Sequence, residues 1–266
     1  MVDPDGAGAA LSYTSYLALD EVLGAQRPRS DEHDELLFIV VHQVYELWFK
    51  QLLHELAHAQ SSLEAHDTAR ATHTFQRVLT ILKVAVAQID VLETMTPRQF
   101  PGFRGRLDAS RGFQSAQFRE LEIVLGRRDR AVLAAYPDPG PARDRLERAM
   151  DRPSLYDSFV RYLAGHGFAV PASALDRDVA VAAGRRAELD EVLLAAYAAD
   201  GGPAQVCERL VDLDEGLQEW RYRHVKMVER TIGDKPGTGG SSGAGYLRST
   251  LFTPLFPDLW AIRSRL

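Results

Sequence analysis

The sequence predicts an all-α protein in which a helical bundle forms a single domain. Apolar residues recur at steps of three and four along most of the 266-residue chain, as they do on the buried faces of amphipathic helices. No stretch alternates apolar and polar residues for long enough to form a credible sheet. Segments rich in proline or glycine separate the helical runs, and no internal repeat suggests a second domain.

The first elements are two long helices. Acidic residues at positions 31, 32, 34 and 35 precede an apolar run over 37–56, and negative charge is favoured at a helix N-terminus. A second helix is predicted over 68–93, and the segment 95–111, which contains Pro97, Pro101 and several glycines, is predicted to be a structured loop. Further helices are expected over 113–125, 142–150, 154–164, 179–198 and 203–232.

The composition is typical of a globular protein in water. Hydrophobic residues make up 45% and charged residues 26% of the chain, and the formal net charge is −6. The acidic balance disfavours nucleic acid and anionic membranes as partners. No apolar run approaches the roughly 18–20 residues that cross a bilayer.

The N-terminus and the cysteine content predict a cytoplasmic protein. Residues 1–10 are small and acidic, without the basic and apolar regions of a signal peptide. The single cysteine, Cys207, cannot form an internal disulfide, as is usual in the cytoplasm. We expect residues 1–10 to be a disordered N-terminus and residues 11–266 to be one helical domain.

One motif resembles a zinc site. Residues 54–58 read His-Glu-Leu-Ala-His, in which two histidines one helical turn apart bind zinc and the glutamate acts as a base. A catalytic zinc needs a third protein ligand, and no suitable histidine follows. Two histidines on a long helix reach this spacing by chance, and we regard that explanation as the better one.

Residues 237–243, Gly-Thr-Gly-Gly-Ser-Ser-Gly, are too rich in glycine and serine for an ordinary connection. No Gly-Lys-Ser/Thr closes a phosphate-binding loop, and no strand precedes a dinucleotide fingerprint. Exposed backbone N–H groups and small hydroxyls can wrap an anionic or zwitterionic group. The alternative is a surface loop without a ligand.

Two histidines and one arginine are further candidates. His224 lies on the helix that leads into the glycine-rich loop, and His42 lies within an apolar run. Such histidines are more often buried structural residues, but a neutral imidazole is also a good axial haem ligand, and a second one can exchange a proton with a substrate. Arg104 lies in a loop beside aromatic residues, where it is either a solvated charge or a carboxylate ligand. Cys207, a possible thiolate ligand, fits a packing role in its amphipathic helix.

Taken together, several motifs resemble the tryptophan 2,3-dioxygenase family from residue 11 to the end of the chain. They are Leu-Ser-Tyr-Thr-Ser-Tyr-Leu at 11–17, His-Gln-x-x-Glu-Leu-Trp at 42–48, Glu-Thr-Met-Thr-Pro at 93–97, Gly-Phe-Gln-Ser at 112–115 and the loop at 237–243. They occur in the family's order, so the chain is identified as a member.

The resemblance implies a role for each candidate residue. His224 matches the axial ligand of the iron of a b-type haem, and His42 matches the distal histidine that meets the indole N–H. Phe38 and Phe100 match residues of the indole pocket. Arg104 matches the arginine that pairs with the substrate carboxylate.

The resemblance also assigns the glycine-rich loop and the N-terminal segment. Thr238 matches the threonine that binds the substrate ammonium beside a haem propionate, and Gly239 next to it is expected to contact the cofactor. Tyr13 and Tyr16 match an N-terminal segment that completes the site of a neighbouring subunit in a homotetramer.

In one place the sequence departs from the family pattern. The family usually has a small residue before Gly-Phe-Gln-Ser, close to the distal side of the haem, whereas this chain has Arg111. The arginine would contact a propionate, fill part of the pocket, or point outward with Ser110 in its place. Both residues are therefore candidate cofactor contacts.

The implied reaction inserts both atoms of O₂ across the indole C2–C3 bond of L-tryptophan and gives N-formylkynurenine. Two alternatives stay open. Relatives in secondary metabolism insert one oxygen atom into tryptophan or a substituted tryptophan, giving a 2-oxindole or a hydroxylated product. The chain could also be a haem- or tryptophan-binding sensor without turnover.

Overall fold

A computed structural model describes residues 11–107, 115–233, 245, 248 and 250–266, and confirms the all-α prediction. Within these ranges all regular secondary structure is helical. The α-helices are α1 (Tyr13–Tyr16), α2 (Leu19–Leu23), α3 (His33–Glu64), α4 (Thr68–Glu93), α5 (Phe100–Arg104), α6 (Ala116–Val124), α7 (Pro141–Met150), α8 (Leu155–Gly165), α9 (Ala172–Leu175), α10 (Asp190–Ala198), α11 (Gly202–Ile232) and α12 (Pro257–Ala261). Short 3₁₀ helices cover Arg130–Ala135, Ala187–Leu189 and Arg263–Arg265. The expectation of disorder at 1–10 lies outside the described residues.

Three long helices form the centre of the bundle. Helix α4 packs against both α3 and α11, and α3 also packs against α6 and α8. The buried side chains of α4 include Phe75, Val78, Leu82 and Ile89, which follow the three- and four-residue steps of the sequence. The same periodicity that predicted each helix therefore selects the face that it buries.

The helix starts follow their capping residues. The side chain of Asp67 accepts the N–H of Arg70 at the start of α4, so the predicted helix over 68–93 is confirmed at both ends. Ser115 caps α6 in the same way. Ser154 and Asp157 form a reciprocal capping box at the start of α8.

The predicted helix over 179–198 is wrong in its first half, because α10 begins only at Asp190. The backbone N–H of Arg186 donates to the buried Asp258 carboxylate at 2.6 Å, and the Arg185 guanidinium binds the same oxygen at 3.0 Å. A backbone N–H committed to a side chain elsewhere cannot donate within a helix. A tertiary contact thus overrides the local helical pattern.

The predicted loop over 95–111 contains a helical turn, α5. Pro101 lies in the first turn of α5. Backbone N–H groups there have no acceptor within the helix, so the N–H that proline lacks is not missed. The proline that suggested a loop therefore starts a short helix.

Helix α3 passes a test for membrane-spanning segments by length and composition alone, with an 18-residue window of mean hydropathy 1.2. The sequence prediction that no apolar run approaches the length that crosses a bilayer was therefore too strong. One such helix is weak support for a membrane segment, since a core helix of a water-soluble protein passes the same test.

Candidate active site

A largely apolar cavity lies between α3, α4, α6 and α11. The space between its walls, counted out to its solvent opening, is about 900 Å³, within the range of pockets that hold small molecules and cofactors. Aromatic rings form much of one wall, and the rings are those of Tyr45, Phe49, Phe118 and Trp220. The cavity therefore offers an aromatic, largely apolar environment.

Two of the sequence-predicted residues, His42 and His224, line this cavity. His42 comes from α3 and His224 from α11, helices that are far apart in the sequence and both pack against α4. The fold therefore brings together the two histidines that the sequence could only treat separately.

The hydrogen bonding of His42 defines its tautomer. Its Nδ1 lies 2.7 Å from the carbonyl oxygen of Phe38, one turn earlier on α3. A carbonyl only accepts, so Nδ1 carries the proton and Nε2 keeps its lone pair when the ring is neutral. Burial lowers the pKa of His42 and outweighs the opposing effects of the Phe38 carbonyl and Glu46. His42 is thus a neutral imidazole with an acceptor nitrogen.

His224 is also held as a neutral ring. Its imidazole stacks on the indole of Trp220 with a centroid distance of 5.0 Å and an interplanar angle of 29°. Burial and the proximity of His42 lower its pKa to about 4. Above that pH a ring nitrogen can bind a metal, because metal ligation needs the neutral imidazole.

Three further predicted residues follow from His42 in a chain of contacts and lie outside the cavity lining; we call them the aromatic wall: Phe38, Phe100 and Arg104. The ring of Phe38 lies 4.0 Å from that of His42 and 5.9 Å from that of Phe100, between centroids. The guanidinium carbon of Arg104 lies 5.9 Å from the centroid of Phe100. The short helix α5 therefore places its arginine beside the ring of Phe100.

The N-terminal tyrosines lie apart from the cavity of their own chain. Tyr13 and Tyr16 are on α1, which buries no residue, and they are 75% and 71% exposed. Neither belongs to the cavity lining. Large aromatic side chains this exposed are typical of segments that bind another chain.

Four residues that were predicted to contact the cofactor or the substrate lie outside the described residues. They are Ser110, Arg111, Thr238 and Gly239. Ser115, the last residue of the Gly-Phe-Gln-Ser motif, and Thr250, which follows the glycine-rich segment, both line the cavity.

The zinc-like motif forms no comparable site. His54 and His58 are exposed on α3, whereas Glu55 is buried. Both oxygens of Glu55 lie 3.1 Å from Nη1 of Arg77. Among the residues that the structure describes, no group of three potential ligands could hold a metal ion.

Cys207 does not belong to the cavity lining. It is buried in α11, and burial raises the pKa of its thiol to about 12. A thiol with such a pKa is not a thiolate ligand near neutral pH, so the packing interpretation holds.

Sequence reasoning missed a charged cluster beside the cavity, in which Arg119, Glu122 and Arg221 line the cavity and Arg127 lies outside the lining. The carboxylate of Glu122 on α6 is bound by Arg119 at 2.5 Å, by Arg221 at 3.1 Å and by Arg127 at 3.4 Å. We call these four residues the Glu122 cluster. One signal was available, because Arg221 lies three residues before His224 and therefore on the same face of its helix.

The fold and the cavity together define an all-α protein with a histidine-lined site for a cofactor or ligand. The model of the tryptophan 2,3-dioxygenase family matches residues 3–140 and 169–266. Among curated relatives, a tryptophan 2,3-dioxygenase of Anaeromyxobacter sp. (strain K) is 65% identical, with 100% of each chain covered. The enzyme of that name from Herpetosiphon aurantiacus is 56% identical over 97% of this chain and 99% of its own, and that from Caulobacter vibrioides is 45% identical over 96% and 98%.

This chain belongs to the tryptophan 2,3-dioxygenase family, as its motifs predicted. The members of this family are haem-dependent oxidoreductases that oxygenate tryptophan.

Proposed function

We propose that this chain is a cytoplasmic haem-b enzyme that converts L-tryptophan and O₂ to N-formylkynurenine. The observation that carries the proposal is the pair of neutral histidines, His42 and His224, on one largely apolar cavity. Family membership selects tryptophan as the substrate.

The residues present fit a haem. A neutral imidazole nitrogen, apolar and aromatic walls, and guanidinium groups at one side match the iron, the porphyrin ring and the carboxylates of protoporphyrin. The buried indole of Trp220 also lines the cavity and packs against the ring of His224.

In the proposed holoenzyme His224 would hold the haem iron. A ferrous haem bound there would supply the iron that binds and activates O₂. The depressed pKa of His224 keeps the ligand nitrogen unprotonated throughout the physiological range. Its stacking on Trp220 restricts the orientation of the ring.

His42 orients the indole in the same cavity. Its Nε2 is the acceptor that an indole N–H needs, because the Phe38 carbonyl holds the proton on Nδ1. Phe38 packs against the imidazole and offers an aromatic surface to the substrate ring. His42 and Phe38 thus bind and orient the indole and exclude water from around it.

The two charges of the amino acid need separate partners in such a pocket. Arg104 pairs with the carboxylate, while Thr238 binds the ammonium group. Phe100 supports the guanidinium of Arg104 through a cation–π contact. Gly239, Ser110 and Arg111 are the proposed contacts of the cofactor edge.

We also propose that the enzyme is a homotetramer in which α1 completes a neighbouring subunit's site. The support is the exposure of Tyr13 and Tyr16 on a helix that buries nothing against its own chain. A segment with exposed aromatic residues gains stability when another subunit covers it.

Mass spectrometry of the aerobic product from L-tryptophan and ¹⁸O₂ tests the reaction. Reduced, haem-loaded enzyme is expected to give N-formylkynurenine that carries two labelled oxygen atoms. A product with one labelled atom would instead support the monooxygenase alternative. Tight tryptophan binding without any product would support a sensor.

Replacing His42 with alanine is expected to leave haem binding intact and to lower kcat by about 10²–10⁴-fold, the usual contribution of a positioned acid or base group. Haem content from the Soret band and single-turnover rates separate the two effects. His58→Ala, on an exposed face of the same helix, is the matched control. Loss of the haem together with the activity would contradict the assigned role.

Replacing Arg104 with alanine is expected to weaken tryptophan binding by about 2–5 kcal/mol, because a buried carboxylate would lose its charged partner. Equilibrium titration of tryptophan, followed in the Soret band, measures the change. Arg106→Ala, two residues further along the same segment and exposed, serves as control. An unchanged Kd for tryptophan in Arg104→Ala would show that another group holds the carboxylate.

A further inference from the structure

We propose that His66 and His166 form a binding site for a divalent transition-metal ion of the zinc class. The two imidazole rings lie with their centroids 5.5 Å apart and their planes at 72°. Neither residue belongs to the lining of the cavity that contains His42 and His224, so this site is separate from the proposed oxygenation. Two imidazole nitrogens would hold the ion, and water would complete its coordination.

The separation of the two rings fits two ligands of one metal ion. A zinc–imidazole bond is about 2.0–2.1 Å long, so two imidazoles at a tetrahedral angle around one ion have ring centroids about 5 Å apart. The observed separation is close to that value. Both histidines are exposed, so an ion with its water ligands can reach them. Exposed rings also bury little apolar surface against each other, and packing alone gives a weaker reason for their contact.

The two histidines stand where two helices end. His66 follows the end of α3 with a left-handed backbone, at a φ of 58°, and His166 is the C-cap of α8. Helix α3 packs against α8, and the contact between the rings shows that their C-terminal ends meet here. The carbonyl groups at the C-terminal end of a helix favour positive charge. Two such ends therefore give a field that suits a cation.

His166 already has the hydrogen-bond partner that metal-binding imidazoles usually have. Its Nδ1 lies 2.9 Å from the carbonyl oxygen of Tyr162. A carbonyl only accepts, so Nδ1 carries the proton and Nε2 keeps its lone pair when the ring is neutral. Such a bond fixes the tautomer and the orientation of a ligand. Tyr162 is itself anchored, because its hydroxyl shares a hydrogen bond of 2.6 Å with that of Thr68 on α4.

Gly165 makes room for the ring of His66. A β-carbon at position 165 would overlap Cε1 of His66 and would lie 2.5 Å from its Nε2 and 2.6 Å from its Nδ1. The edge of the ring that carries both nitrogens therefore faces the backbone that leads directly into His166. Any larger residue at position 165 would displace this ring and separate the two ligands.

Calorimetric titration of the haem-loaded enzyme with Zn²⁺, and with Mg²⁺ for comparison, tests the proposal. The wild-type chain should bind Zn²⁺ at this site and Mg²⁺ far more weakly, because imidazole suits zinc whereas Mg²⁺ prefers oxygen ligands. His66→Asn and His166→Gln should each weaken Zn²⁺ binding at least about tenfold, since groups that merely orient a ligand are worth about 10–100-fold in metal affinity. Asparagine tolerates the left-handed backbone at position 66, so His66→Asn should fold.

His58→Ala is the matched control, because His54 and His58 form an exposed pair one turn apart on α3 that could also bind zinc. It should leave the affinity of the proposed site unchanged. Thermal unfolding is a second readout: Zn²⁺ should raise the midpoint of the wild-type chain, because it binds the folded state, and should not raise that of His66→Asn.

Three results would overturn the proposal. They are a wild-type chain that does not bind Zn²⁺, an affinity that falls in His58→Ala instead, and an affinity that is unchanged in both His66→Asn and His166→Gln. If His166→Gln does not fold, His66→Asn decides the question alone. Neither readout depends on turnover, so failure of this site would leave the proposed oxygenation of tryptophan intact.

Discussion

Replacing His224 with alanine is expected to abolish stable haem binding and, with it, oxygenation of tryptophan. The imidazole is the ligand that we assign to the iron, and among the described residues of α11 no other histidine or cysteine lines the cavity. Cys207 on the same helix cannot replace it, because it lies outside the cavity lining and burial raises the pKa of its thiol to about 12. Groups that merely orient a metal ligand are worth about 10–100-fold in metal affinity, so loss of the ligand itself should cost at least about a hundredfold.

The Soret spectrum and the haem-to-protein ratio after gel filtration measure this loss. His54→Ala is the matched control, because His54 is exposed on α3 and away from the cavity lining. The control should keep full haem content. Added imidazole is expected to restore part of the haem spectrum in His224→Ala, since it can enter the vacated space. A normal Soret band in His224→Ala without imidazole would show that the axial assignment is wrong.

Replacing Asp214 with alanine is expected to produce the largest loss of stability, about 3–5 kcal/mol in the free energy of unfolding, because three donors lose their buried acceptor at about 1–3 kcal/mol each. Asp214 on α11 is completely buried. Its Oδ2 accepts the backbone N–H groups of Leu255 at 2.8 Å and Phe256 at 3.1 Å, and the indole N–H of Trp260 at 2.9 Å. Alanine would leave these donors without their acceptor in the interior, and each such group is costly.

Urea unfolding followed by circular dichroism measures the change. Asp212→Ala is the control, since Asp212 is two residues away on the same helix but its side chain is 41% exposed and pairs with Arg209. Its effect should stay below about 1 kcal/mol. A similar loss in both variants would mean that the contacts of Asp214 with the C-terminal segment contribute little.

The sequence predicted the helices well where local signals agree. Helix α4 matches its predicted bounds because the cap of Asp67 and the apolar period coincide. The helix predicted over 179–198 failed because Arg185 and Arg186 bind Asp258 on a distant element. Capping and periodicity are properties of neighbouring residues, whereas a buried carboxylate that recruits a backbone N–H from elsewhere has no local signature.

The candidate site shows the same division. Motifs at 42–48, 112–115 and 237–243 identified the family, and through it His42, His224 and the residues of the aromatic wall. Trp220 and the Glu122 cluster carry no such motif. Their importance follows from their position beside the cavity.

The sequence by itself determined that the chain is helical, which face each long helix buries, and to which family it belongs. Repeated apolar spacing and short motifs are local patterns, so they can be read without knowing the fold. Only the tertiary structure decided that the two histidines share a cavity, and that Glu122 meets Arg221 across 99 positions of sequence. Burial sets how strongly two charges interact, and packing sets which two charges meet. Neither quantity exists until the helices are assembled.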